Sequence, residues 1–323
     1  MRCICNGRGT IRLWHLESEF VMIQLALLYI VMASAFVGFM SQLRKKYQMA
    51  NGIGLVSTLS FILLASLFAA IVGSFFSDGL RFEPYSFVFA TGYALFSTVT
   101  AALCICGTAF GNLSVLIMYA TLGTLIIPSV YGLMVLPEEN VLTVWKACGF
   151  VAAFVCLALN FLGSRKEPGE KSSVIFKLMC AVVFFTNGSA LVVYNLENRY
   201  CSDYSYYSFV TEYMLISAVL VAAVLLILLL KNRKQFAGEA KKVVTAKNMG
   251  IILLYAILFF ASDLLSINCA GMIPLIIQAP VSFCVPVIVV ALLDYILYRE
   301  KLTKRNLLQM AAALVCCICF VVE

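Results

Sequence analysis

Histidine occurs once in the 323 residues, and Asp, Glu, Lys and Arg together supply only 12% of the chain. The shortage of charge excludes a water-facing surface, since a soluble domain carries roughly 25% ionised side chains. The lone histidine, His15, excludes a histidine-based nucleophile system and an H-E-x-x-H zinc motif. No GxxxxGK followed by Ser or Thr is present, so no ATP loop is expected, and "NGIG" at 51–54 reads as a helix start. Cys3 and Cys5 form a C-x-C without a second pair, which disfavours a zinc site. A membrane-embedded enzyme would need a clustered catalytic set on the cytoplasmic side, and none is visible. A receptor or scaffold would need a sizeable soluble loop or tail, and the longest connection, 231–247, is short. The expectation is therefore a non-enzyme without cofactor or metal.

What the sequence does have is apolar length. Hydrophobic residues make up 63% of it, and the mean hydropathy is +1.00. A bilayer core needs about 20 apolar residues per helix. Ten such runs are present, at 22–42, 52–76, 85–106, 112–135, 141–163, 174–195, 206–230, 248–268, 272–297 and 305–322. They are continuously apolar, which argues against the short alternating segments of a β-barrel. The reading is an all-α polytopic membrane protein with ten transmembrane helices. Most of the 13 cysteines, including Cys104, Cys106, Cys148, Cys156, Cys180, Cys284, Cys316 and Cys317, lie inside these runs and serve as small apolar fillers.

Charge position predicts orientation. Seventeen Lys and Arg fall on odd-numbered connections, from Arg44, Lys45 and Lys46 to Arg299, Lys301, Lys304 and Arg305. Even-numbered connections hold only Arg81 and Arg199, beside Asp78, Glu83, Glu138, Glu139, Glu197 and Asp203. Basic excess marks the cytoplasmic face, so odd connections are expected inside and both chain ends outside. Basic residues used this way are topology signals, and no nucleic-acid partner is expected. Residues 1–21 dissent, with Arg2, Arg8 and Arg12 before the first run. We therefore expect Met22 to be the physiological start and 1–21 a doubtful leader, an expectation that native N-terminal sequencing beginning at Met1 would overturn. The predicted location is a plasma membrane, of the bacterial inner-membrane kind.

The two halves resemble one another. Leu142-Thr143 aligns with Leu302-Thr303, and the same offset brings Ala152-Ala153 onto Ala312-Ala313, Cys156 onto Cys316 and Gly111 onto Gly271. Pro128 and Pro286 correspond across a two-residue gap. With five helices per half, the second repeat (174–323) is expected to be inverted in the membrane relative to the first (22–163). Inverted repeats meeting at the midplane are typical of secondary transporters. The stretches "GNLSVLIMYATLGTLIIPSVYGLMVLPEENVLT" and "GMIPLIIQAPVSFCVPVIVVALLDYILYREKLT" are similar to the two repeat signatures of the EamA-type drug/metabolite transporter superfamily. The resemblance covers residues 22–322. One departure is Gln309, which stands where Gly149 supplies the usual glycine in the first half. The resemblance implies a basket of eight helices around a central cavity, with the fifth helix of each repeat peripheral. It further implies ATP-independent movement of a small metabolite or drug, often export and often coupled to protons, by a monomer or homodimer in contact with membrane lipid.

Charge inside a span costs roughly 2.5–3.5 kcal/mol on insertion scales and marks candidates. Asp263, in "LFFASDLLSIN", is the foremost, with Ser266 on its face at i+3. It either binds a proton or cationic substrate, or belongs to a helix-end hydrogen-bond network. Glu212 either shares a vestibule with Asp263 or is wetted by the outer headgroups. Asp294 is expected to reach toward Arg299 or Lys301, and Lys146 and Lys177 to snorkel. Thr186, Asn187 and Ser189, with Gln278 on helix 9, either glue helices or line a wet cavity. Tyr93 and Tyr119 are candidate aromatic walls for an organic substrate.

Overall fold

The computed structural model describes residues 7–51, 54–77, 83–106, 113–138, 140–162, 174–201, 204–231, 243, 245–299 and 303–321. At 7–21, 23, 104–106, 113, 114, 117, 160–162, 298 and 321 it describes the backbone alone. Within these residues ten long helices account for nearly the whole chain, and no strand occurs. They are α1 (Gly7–Asn51), α2 (Leu55–Ser74), α3 (Pro84–Cys106), α4 (Leu113–Val135) and α5 (Val144–Leu162). The remainder are α6 (Val174–Tyr200), α7 (Tyr206–Lys231), α8 (Ala246–Ala270), α9 (Leu275–Tyr298) and α10 (Lys304–Val321). Lipid offers the backbone no hydrogen-bond partner, so apolar runs of this length close their bonds internally as helices. Eight of them, all but α5 and α10, are long and apolar enough to cross a membrane by the described residues. The protein is thus an all-helical, membrane-embedded chain.

Most ends fall within three residues of the apolar runs, with three informative exceptions. Helix α1 continues upstream of Met22 to Gly7 and downstream to Asn51, nine residues past the expected end at 42, and α6 continues to Tyr200, five residues past the expected end at 195. The second difference moves Arg44, Lys45 and Lys46, and the third Glu197, from a connection into a helix. Residues 1–6, Gly111, the 163–173 connection with Arg165 and Lys166, residues 232–242 and the Glu300–Leu302 turn lie outside the described residues.

Prolines mark where helices begin or bend. Pro84 opens α3 and Pro274 caps α9, where a missing N–H costs nothing. Pro128 lies inside α4, and Pro280 and Pro286 inside α9. Thr245 caps α8 by accepting from the Asn248 backbone N–H at 3.4 Å.

The packing pairs recur in two sets. Helix α1 lies against α8 and α9, while α6 lies against α3 and α4. Helices α2 and α7 face each other, as do α5 and α10, and α4 meets α9. One apolar core gathers α2, α3, α6, α7 and α8 around Tyr93, Tyr194, Phe209 and Tyr213. A second gathers α1, α4, α5, α9 and α10 around Leu125, Cys156, Cys284 and Cys316. The cysteines of this core are free thiols filling space.

The α4–α6 contact depends on two glycines. A Cβ on Gly188 would stand 2.5 Å from the Gly123 carbonyl oxygen, and one on Gly123 would collide with the Phe184 carbonyl. Backbone atoms cannot swing aside as a side chain does, so the helices would have to separate. Gly188→Leu should lower the thermal midpoint of the purified protein, with a loss of about 1–3 kcal/mol or more from overpacking. An unchanged midpoint in detergent would refute this close approach.

At the end of the molecule where α1 and α9 finish, Lys45 Nζ pairs with Asp294 Oδ1 at 2.8 Å, and Gln42 Nε2 donates to the same oxygen at 3.1 Å. This corrects the expectation that Asp294 reaches for Arg299, while Lys301 lies outside the described residues. Arg299 instead closes α9 through its backbone, in the left-handed region at φ 54°, donating its N–H to the Asp294 carbonyl.

Candidate functional site

Asp263 lies on α8 about two turns before its end at Ala270. Its orientation follows from its neighbour: Ser262 Oγ donates to the Ala33 carbonyl at 3.0 Å, turning that edge of α8 onto α1. One residue on, some 100° round the helix, Asp263 faces α7, α6 and α3. The Tyr213 hydroxyl of α7 donates to Asp263 Oδ2. Tyr93 of α3 stacks on Tyr194 of α6 with centroids 4.8 Å apart, and meets Tyr213 edge to face at 4.5 Å. Phe209 backs the group at 5.8 Å from Tyr213.

The Asp263 carboxylate is felt by four phenols, Tyr93, Tyr194, Tyr213 and, from α8 itself, Tyr255, and Arg44 also acts on the last of these. Hydrogen bonding to Asp263 comes from tyrosine, and no basic side chain among the described residues acts on it. Asp263 and Tyr93 are the members that retain some surface, 9% each. Chemically this is a single carboxylate walled by three aromatic rings with donor hydroxyls.

Of the other expected residues, Ser266 donates back to the Ser262 carbonyl at 2.9 Å, and its own carbonyl receives Gln278 Nε2 at 3.0 Å. Gln278 is fully buried, its Oε1 without a partner among the described residues. Thr186 meets Thr100 at 2.6 Å, and Asn187 Nδ2 donates to the Ala120 carbonyl at 3.1 Å. Both bonds tie α6 to α3 or α4, which favours the role of glue over cavity lining at these positions. Ser189 bonds within its own helix to the Phe185 carbonyl. Tyr119 stays on the surface, 37% exposed, apart from the Tyr93 group. Lys146 Nζ reaches the Val141 carbonyl at 3.0 Å.

Glu212 is fully buried and accepts from the Tyr204 hydroxyl, so the expectation of a headgroup-wetted residue is corrected. Nor is it among the groups that act on Asp263; its charge is felt by Glu197.

Glu197 is the residue that sequence reasoning missed. It is 0% exposed, and among the described residues neither carboxylate oxygen has a hydrogen-bond partner. Asn195 and Asn198 turn the other face of α6 onto α8, donating to the Ala270 carbonyl at 3.2 Å and the Ile267 carbonyl at 2.7 Å. The last carbonyls of α8, orphaned by its ending, are thereby satisfied from α6. The available signal was the spacing of Tyr194, Glu197 and Cys201, one stripe at helical period.

Cys201 follows that stripe just beyond α6. Burial, then the Glu197 and Glu83 carboxylates, pushes its thiol up to about 11. The thiolate is the reactive form, so at pH 7.5 alkylation should run about 100-fold more slowly than at an ordinary free thiol. A small water-soluble thiol is the reference, and alkylation of Cys201 at the same rate, followed by mass spectrometry, would refute the buried setting.

The fold and this polar centre together define a polytopic helical membrane protein with a carboxylate–tyrosine site between its helices. No family model and no curated protein matches the chain. Among solved structures, one described as "Crystal structure of protein" is similar over 92% of this chain and 96% of its own, with a TM-score of 0.68 at 13% identity. That likeness establishes a shared fold.

Proposed function

We propose that the chain is an ATP-independent secondary transporter of the EamA-like kind, moving a small metabolite or drug-like solute, with export as its direction. The observation that carries this is Asp263: a charge-bearing group held between helices of both halves, α3 from the first and α6, α7 and α8 from the second, without a basic counterion among the described residues. Intramembrane carboxylates of this kind are placed where ions or substrates pass. The paired packing supports an inverted repeat. The contacts of α1 with α8 and α9 correspond to those of α6 with α3 and α4, and α2–α7, α5–α10 and α4–α9 are each a helix meeting its counterpart. Two halves related in this way can open alternately to either side.

In this reading the basic connections and the Lys45–Asp294 pair lie at the cytoplasmic face. The driving force is a proton gradient or the solute's own gradient, and Asp263 is the proton- or substrate-binding group. The test has two stages. Metabolite efflux is compared between a deletion strain and its parent, and the solutes that differ are offered to proteoliposomes enclosing a pH-sensitive dye. Solute-dependent uptake above empty liposomes, accompanied by proton movement, is the expected result. No uptake of any differing solute would overturn the reading.

A further inference from the structure

We propose that Asn140, Asn195 and Asn198 form a releasable clasp on the α8–α9 turn, and that its opening and closing gates that end of the molecule. This rests on the transport reading and names the device by which one side of the protein is shut. Which helices travel together follows from their side-chain bonds. Helix α8 is bonded to α1 along its whole length: Asn248 Nδ2 donates to Asn51 Oδ1, Ser262 Oγ to the Ala33 carbonyl and the Cys269 thiol to the Ala26 carbonyl, each at 3.0 Å. Gln278 Nε2 joins α9 to α8 at 3.0 Å. On the other side, the Thr100–Thr186 and Asn187–Ala120 bonds join α6 to α3 and α4. The helices thus fall into two bundles, α1 with α8 and α9, and α6 with α3 and α4.

Three asparagines reach from one bundle to the other. Asn195 and Asn198, near the end of α6, donate to the Ala270 and Ile267 carbonyls at 3.2 and 2.7 Å. Asn140, just beyond α4, accepts from the Ile276 backbone N–H at 3.0 Å in the first turn of α9. All three belong to the α3, α4 and α6 side, and all three hold the connection between α8 and α9. That connection lies about two helical turns from Asp263. It is at the far end of α8 from the Asn51–Asn248 bond, hence opposite the Lys45–Asp294 pair. The Asn198 side chain packs directly on it, since a Cβ at Gly271 would stand 2.9 Å from Asn198 Oδ1.

Amides suit a contact that must break. A neutral hydrogen bond contributes little net free energy because water can replace it, and its release leaves no charge unpaired. Because α8 is bonded to α1 throughout, parting occurs between α6 and α8, and between the α4–α5 connection and α9. Halves that alternate shut one end as the other opens, so the state of this clasp is felt at the Asn51–Asn248 contact.

The experiment is hydrogen–deuterium exchange of the full-length protein in lipid nanodiscs, read by peptide mass spectrometry. Asn195→Ala combined with Asn198→Ala should speed exchange over residues 263–276 about tenfold, through the loss of two such bonds. Over residues 43–51 and 246–252 it should slow exchange about threefold, as population is drawn from states open at that end. Faster exchange at 263–276 with none of this slowing would make the asparagines a static brace and overturn the proposal. The complementary variant is Asn198→Cys with Gly271→Cys. Their Cβ atoms would lie 3.9 Å apart, within the span of about 3.5–4.5 Å that a disulfide needs. The pair also removes the amide that a side chain at residue 271 would strike. Oxidised with copper phenanthroline and verified by mass spectrometry, it should exchange about tenfold more slowly over 263–268 than the reduced pair. Equal exchange in the two forms would show that this end stays shut, and would also overturn the proposal. Both forms share one sequence, so a folding defect does not explain a difference between them. Reciprocal exchange in a protein that moves no solute would count against transport and leave the clasp standing. Undiminished uptake, by the oxidised pair, of a solute found in the strain comparison would leave transport standing and remove the clasp.

Discussion

Asp263→Asn is expected to leave a folded protein whose solute movement no longer responds to pH. The substitution preserves shape, and the amide oxygen can still accept the Tyr213 hydroxyl bond. What disappears is the negative charge and the capacity to take up a proton. Because no basic residue is left without its partner, the variant avoids the usual penalty for breaking a buried ion pair. Its thermal midpoint should match or exceed that of the wild type. With no group left to carry the proton, uptake driven by a pH gradient should fall to the rate measured without a gradient. Counterflow in liposomes at pH 6, 7 and 8 is the measurement. An Asn variant with the wild-type pH response would remove Asp263 from coupling.

The helices were legible in the sequence because one physical rule governs them. A backbone in lipid has no partner but itself, so apolar length alone marks a helix. The rule fails at the ends, where lipid no longer enforces it. Helix α6 runs on through Leu196, Glu197, Asn198 and Arg199 because Asn195 and Asn198 are occupied in capping α8. Those bonds join residues 69 and 75 apart in the chain, and no local pattern announces them. Asp263 stood out for the opposite reason: a carboxylate within an apolar run is conspicuous whatever surrounds it. Its tyrosines did not stand out as a set. Tyr93 is a candidate wall on sequence alone, yet Tyr194 and Tyr213 become partners only through the packing of α3, α6 and α7. Asn187 and Thr186 were equally visible, and their depth in the bilayer could not distinguish glue from lining. The distinction depends on Gly123 and Gly188, which bring α4 and α6 close enough for a side-chain amide to reach the opposite backbone.

Glu197→Met is expected to raise stability while lowering activity. A buried polar group without a hydrogen bond costs about 1–3 kcal/mol, and among the described residues both Glu197 oxygens are in that position. Methionine fills similar volume with a flexible apolar chain, so most of that cost should be recovered as a higher thermal midpoint in detergent. Glu197→Gln, which keeps a buried polar head, should gain little. The two variants separate burial from shape, and a drop in midpoint for Met would mean that the carboxylate is held by something worth more than its desolvation. A destabilising residue is retained where function requires it. Glu197 lies one turn along α6 from Tyr194 and feels the charge of Glu212 and Glu83, on the side from which α3 and α7 begin. A solute reaching Asp263 from that end would pass this acidic group first. Transport by Glu197→Met should therefore fall through a higher KM at unchanged kcat, the signature of weakened capture. A fall in kcat alone would instead place Glu197 in the conformational step, away from the path of the solute.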